Sequence, residues 1–105
     1  MRIKVKVSPQ VQAYVQSLAP EPRRALARAI KVLAACCGDR KQLEGDLDGY
    51  ARLRVAGHRV IFKARSEAGV RVIDCLFAER REVVYKLFEN ELKRMLASEQ
   101  TKTGS

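Results

Sequence analysis

The sequence predicts an α+β domain in the order β-α-α-β-β-β-α, a small mostly antiparallel sheet with an N-terminal helical hairpin and a C-terminal helix. Three observations predict it. The chain opens on alternating charged and β-branched residues. Two stretches of helical period follow before residue 40. Three apolar runs then lie between Tyr50 and Phe77, separated by Ala56-Gly57 and by Ser66-Glu67-Ala68-Gly69. At 105 residues, 47% of them hydrophobic, the chain suits one core. A single domain is expected over 1–97, with a frayed polar tail over 98–105.

In chain order, Arg2 to Val7 (Arg-Ile-Lys-Val-Lys-Val) alternates as a strand with one buried face does. Ser8 then serves as N-cap and Pro9 as first residue of a helix whose apolar positions are Val11, Tyr14, Val15 and Leu18. Ala19-Pro20-Glu21-Pro22 breaks the chain, and a second helix runs to about Cys37 with Gly38 as its C-cap. Leu26, Ile30, Leu33 and Cys37 form its buried stripe, and Arg23, Arg24, Arg28 and Lys31 its solvated or RNA-facing side. Asp39 to Tyr50 has no sustained period and reads as a loop. The last strand, Val70 to Phe77, is almost continuously apolar, which suits the middle of a sheet. A final helix is expected from about Glu79, with Val84, Leu87, Phe88, Leu92, Met95 and Leu96 as its apolar stripe.

Charge narrows the function. Twenty-one Lys and Arg stand against 12 Asp and Glu, a formal charge of +9. So much positive charge on so small a body favours nucleic acid, an anionic membrane surface or an acidic protein. The membrane is the weakest of these, because no apolar run approaches about 18 residues and the first segment has no signal-peptide core. A soluble cytoplasmic protein is expected.

Cysteine chemistry adds little. Cys36, Cys37 and Cys75 fit no zinc or disulfide spacing, and their apolar settings make them small hydrophobes. His58 is the only imidazole, and no nucleophile triad assembles around it.

The stretch from Leu43 to Phe62 concentrates the chemistry. Period 2 puts Tyr50, Arg52 and Arg54 on one face of a strand and Ala51, Leu53 and Val55 on the other. Two guanidiniums thus sit beside an aromatic ring on a rigid element. Arginines on a hairpin face also serve simply to blunt an exposed edge.

The set Leu43-x-Gly45-x-Leu47-x-Gly49-Tyr50-x-Arg52-x-Arg54-Val55-x-Gly57-x-Arg59-Val60-Ile61-Phe62, with a later Arg80-Arg81-Glu82-Val83-Val84-Tyr85, resembles the RelE/ParE superfamily of toxin-antitoxin toxins. The RelE branch is the nearer, and the resemblance covers roughly residues 1 to 97. It implies a RelE-like fold and the toxin of a type II toxin-antitoxin system. The implied activity is that of a ribosome-dependent endoribonuclease, an mRNA interferase that cuts message in the ribosomal A site and so inhibits translation. The implied partners are a cognate antitoxin, the ribosome with its rRNA, and mRNA. No cofactor or metal is implied, since arginines supply the positive charge and no ligand cluster is visible.

By the same resemblance, Arg52 and Arg54 would neutralise and orient the scissile phosphate, and Arg59 would hold the phosphorane oxygens. Tyr85 would stack on a base or take part in proton transfer, or else simply pack on the helix's buried side. One departure stands out. The position of a further catalytic arginine falls on Glu79, so the role passes to Arg80 or Arg81, with Arg81 favoured. His58, as an imidazole, is a candidate substitute acid by residue type, but period 2 points it away from Arg59. Two other readings stand beside it: a ParE-like DNA gyrase inhibitor, which needs no nuclease residues and against which Arg52, Arg54, Arg59 and Tyr85 count, and a non-catalytic basic RNA- or ribosome-binding module in which the same arginines only contact phosphates.

Overall fold

The computed structural model describes residues 3–35 and 39–103, with backbone alone at 35, 39, 46 and 96–103. Its elements are β1 (Ile3–Val7), α1 (Pro9–Ser17), α2 (Pro20–Val32), β2 (Asp39–Gln42), β3 (Ala51–Val55), β4 (His58–Glu67), β5 (Val70–Arg80) and α3 (Val84–Thr103). The five strands form one sheet in the order β1-β5-β4-β3-β2. Only β1 runs parallel to its neighbour, β5; β5, β4, β3 and β2 pair antiparallel in turn. This is the expected α+β architecture with one strand more.

Local chemistry explains each boundary. Ser8 caps α1, its Oγ accepting from the Val11 amide at 3.2 Å and donating to the Leu76 carbonyl at 2.9 Å. Pro20 and Pro22 fall in the first turn of α2, where a missing amide proton costs nothing. This helix ends at Val32 and tightens into a 3-10 turn over Leu33–Ala35, earlier than expected. Cys36, Cys37 and Gly38 lie outside the described residues.

Two faces of the sheet are covered. Against one, α1 and α2 place Val11, Leu26, Ile30 and Leu33 on Leu53, Val60, Phe62, Ile73, Cys75 and Ala78. Against the other, α3 places Val84 and Phe88 on Leu47 and Ile61, with Tyr50, Phe77 and Tyr85 packed around them. Tyr50 meets Phe88 edge to face at 5.1 Å. The helices therefore sandwich the sheet.

Three expectations are corrected. The stretch Asp39–Gln42 is the edge strand β2, not loop. The strand β5 continues through Arg80 because His58 and Arg59 of β4 pair with Arg80 and Glu79 past a bulge at Ile61/Phe62; helix accordingly begins at Val84 rather than near Glu79. On α3, Leu87 (41% exposed) and Met95 (54%) stand outside the buried stripe, which consists of Val84, Phe88 and partly Leu92. Leu96 is beyond the described side chains, and helical backbone continues to Thr103.

Cys75 behaves as the composition suggests. Burial, helped by Asp74, pushes its thiol up to about 12 from an ordinary 9.0. The folded state thus holds its proton after the unfolded state has lost it. Stability owed to this group is complete below about pH 9 and falls as pH rises from there to about 12. Alkylation of the native protein at pH 8, followed by peptide mass mapping, should leave Cys75 unmodified; rapid labelling would show that the thiol is accessible.

Candidate functional site

Strand alternation sets out the site. On β3, Ala51 and Leu53 turn into the core under α1 and α2, so Arg52 and Arg54 turn to the opposite face. The ladders carry that face across the sheet. Lys41 of β2 stands opposite Arg52, Arg54 opposite Arg59, and Arg59 opposite Glu79. Charged positions on four successive strands are thereby aligned at the end of the sheet that α3 approaches.

A cleft of about 560 Å³ opens there. It brings together Arg52, Arg59, Arg81 and Tyr85, four of the five candidate residues. Arg54 does not line it; it stands exposed on the same sheet face, beside the cleft and opposite Arg59. Lys41, Glu44 and Glu82 complete the charged lining, giving four cations against two carboxylates.

Arg59 is the most firmly placed of these. It is 8% exposed, and its Nη1 donates to the carbonyls of Ala56 and His58, each at 2.9 Å. These bonds tie the guanidinium to the β3–β4 turn, where Ala56 adopts a left-handed φ of 52°. They use two of its five donors. Arg81 is fixed to the same turn by its backbone, its amide donating to the Gly57 carbonyl at 2.9 Å. Its side chain, largely exposed, pairs with Glu82 at 3.5 Å. Arg80 pairs with His58 in the ladder and does not line the cleft.

Tyr85 is placed both in the core and at the cleft. It packs partly buried on the α3 core and lines the cleft. Glu79 faces the site side next to Arg59, and its Oε1 accepts from the Arg80 amide at 3.0 Å.

His58 lies across the sheet from this group. Its Nδ1 is hydrogen-bonded to the Tyr14 hydroxyl at 2.6 Å, and the rings meet edge to face at 5.6 Å. Burial, then the nearby Glu79 carboxylate, raises the Tyr14 hydroxyl above its ordinary value. The pair therefore works inside the α1 packing. Among the described residues no group of three or more His, Cys, Asp or Glu is placed to hold a metal ion, and no helix is long and apolar enough to cross a membrane.

Lys41, Glu44 and Glu82 were not candidates from sequence. Lys41 sits on the polar strand β2, whose alternation has no apolar signal to reveal it. The two glutamates resemble any other exposed acid until the fold places them at the cleft.

No protein-family model matches the chain, and no curated protein matches it. Solved structures do. The archaeal RelE-RelB complex from Pyrococcus horikoshii OT3 contains a chain 26% identical, with a TM-score of 0.58, over 77% of this chain and 97% of that one. The toxin-antitoxin complex RelBE2 from Mycobacterium tuberculosis gives 18% identity and a TM-score of 0.60, over 77% and 100%. A YoeB/ParE toxin from Agrobacterium tumefaciens gives 14% and 0.59, over 74% and 98%. The resemblance carried by the hairpin motif is upheld at the level of the fold.

Proposed function

We propose that this chain, which has the fold of the RelE/ParE superfamily of toxins, is the toxin of a type II toxin-antitoxin system and cleaves mRNA on the ribosome. The observation that carries the reading is the convergence of Arg52, Arg59, Arg81 and Tyr85 on one cleft. In the cleavage the ribose 2′-oxygen bonds to the adjacent phosphorus, the bond from phosphorus to the 5′-oxygen breaks, and that oxygen takes a proton. The intermediate phosphorane is dianionic. Guanidiniums meet it with charge-assisted, two-pronged hydrogen bonds. Arg59, already fixed by the turn carbonyls, needs no reorganisation to do so.

Arginines do not accept protons at neutral pH. Two carboxylates line the cleft, and Glu82 is held by Arg81. Glu44 is then the lining group suited to take the proton of the 2′-hydroxyl. Tyr85 stacks on a base at the cleft mouth or passes the proton to the leaving oxygen. Arg54, on the adjoining rim, extends the positive field along the strand. The ribosome, its rRNA and mRNA are the working partners, which places the protein in the cytoplasm. A cognate antitoxin is the controlling partner, as in the complexes that contain RelB.

The test is a translating cell-free extract with a defined message and 5′ ends mapped by primer extension. Wild-type protein should give ribosome-dependent breaks within codons, and Arg52→Ala and Arg54→Ala should each weaken them at least about tenfold. Folded wild-type protein that leaves the message whole would end the nuclease reading; trapped gyrase-DNA complexes would then favour a ParE-like activity.

A further inference from the structure

A second basic cleft, of about 320 Å³, lies on the other side of the edge strand β2. Its floor includes Ala51, Phe62 and Ile73, residues of the face covered elsewhere by α1 and α2. Arg40 and Arg71 stand on that face with them, whereas Lys63, also in the lining, turns by alternation to the other face, its Nζ 5.4 Å from the centre of the Tyr50 ring; the lining holds no acidic residue. Lys41 and Gln42 line both clefts, so β2 is the ridge between them.

A need to blunt an exposed edge explains cations on β2. It does not explain Arg71, which comes from the interior strand β5. Like charges gathered without an acid disfavour one another. The carboxylates at that end of the sheet are engaged elsewhere: Asp74 and Glu67 both pair with Arg65. Among the described residues no carboxylate forms an ion pair with Arg40 or Arg71. Arg40 also holds its guanidinium 5.8 Å from the centre of the Phe62 ring, a flat cationic surface of the sort on which a nucleobase stacks. Spaced cations, a stacking plane and a shared ridge with the first cleft match the backbone of a single strand of RNA.

We propose that the second cleft binds single-stranded RNA continuous with the strand in the first cleft, so that the substrate crosses β2 between them. This rests on the nuclease reading of the first cleft. The role of the second cleft is to hold flanking nucleotides, and it takes no part in the chemistry.

The test measures binding of uncleavable 2′-O-methyl oligonucleotides of about four and about twelve nucleotides by fluorescence anisotropy, across a salt series. Wild type should bind the longer strand at least about tenfold more tightly at low salt. Arg40→Ala/Arg71→Ala should lose that gain while binding the tetramer within about twofold of wild type. Its slope of log affinity against log salt should fall by about 1.4, roughly 0.7 for each lost phosphate contact. Arg71→Glu, at an exposed position, should give a similar loss by charge reversal and guards against a folding defect in the double variant. A length gain that survives both changes, or no gain in wild type, overturns the proposal. A gain that depends on Arg40 and Arg71, in a protein that makes no breaks on ribosomes, would instead remove the nuclease reading and leave the RNA track standing.

Discussion

Arg59→Ala should lower ribosome-dependent cleavage by about two orders of magnitude or more, the largest effect expected of any substitution among the cleft residues. The loss has two parts. Removal of a preorganised donor from the phosphorane costs about 3 to 4 kcal/mol of transition-state stabilisation. The carbonyls of Ala56 and His58 also lose their donor, which loosens the turn that holds Arg81 by its backbone. Arg59→Lys separates the parts, because it keeps the charge but not the fork. Cleavage is followed by primer extension, with thermal unfolding by circular dichroism as the control. A folded Arg59→Ala protein that cuts at the wild-type rate would show that this guanidinium serves the turn alone.

Phe88→Ala should destabilise the protein by about 3 to 5 kcal/mol, a large share of the roughly 5 to 15 kcal/mol typical of a small domain. Phe88 is 3% exposed and touches Tyr50 edge to face and Phe77 in a tilted contact. It is the main attachment of α3 to the sheet, with Val84 and Ile61 alongside. Because α3 also carries Tyr85, the same substitution should disperse the cleft and abolish cleavage before the rest of the sheet unfolds. Urea titration gives the stability change; Phe88→Leu, which keeps most of the volume, should recover much of it. An unchanged urea midpoint would mean that α3 is held by other contacts.

Most of the architecture was legible because it rests on period. Ile3–Val7, β3 and β5 alternate or run apolar as their places in the sheet require, and Leu26, Ile30 and Leu33 mark the buried side of α2 at helical spacing. What escaped was polar. The four residues of β2, Asp-Arg-Lys-Gln, carry no apolar alternation, and their strand state comes from pairing with β3 rather than from their own preference. The start of α3 was misplaced for a related reason. Glu79 to Glu82 favour helix locally, yet pairing of Glu79 and Arg80 with β4 keeps the chain extended.

The site divides along the same line. Arg52 and Arg54 could be placed on one face from alternation alone, and His58 could be set on the other face from Arg59. That Arg81 rather than Arg80 lines the cleft depends on the tie from the Arg81 amide to Gly57, a contact between residues 24 apart in sequence. Glu44 and Lys41 needed the whole meander in place before their position had meaning.

The parallel pairing of β1 with β5 has a consequence for how the molecule is made. Ile3 lies beside Arg71, 68 residues later, while the β3, β4 and β5 meander joins neighbours through short turns. The β3–β4 hairpin is therefore free to form before β5 is made, and β1 waits for a partner synthesised only after two thirds of the chain. Until then Lys4 and Lys6 belong to an unpaired strand, and β1 does not yet border the sheet. The nascent chain thus passes through a stage in which its basic hairpin exists before its sheet is complete, and that interval is when a partner able to add a strand to the hairpin would meet the least resistance.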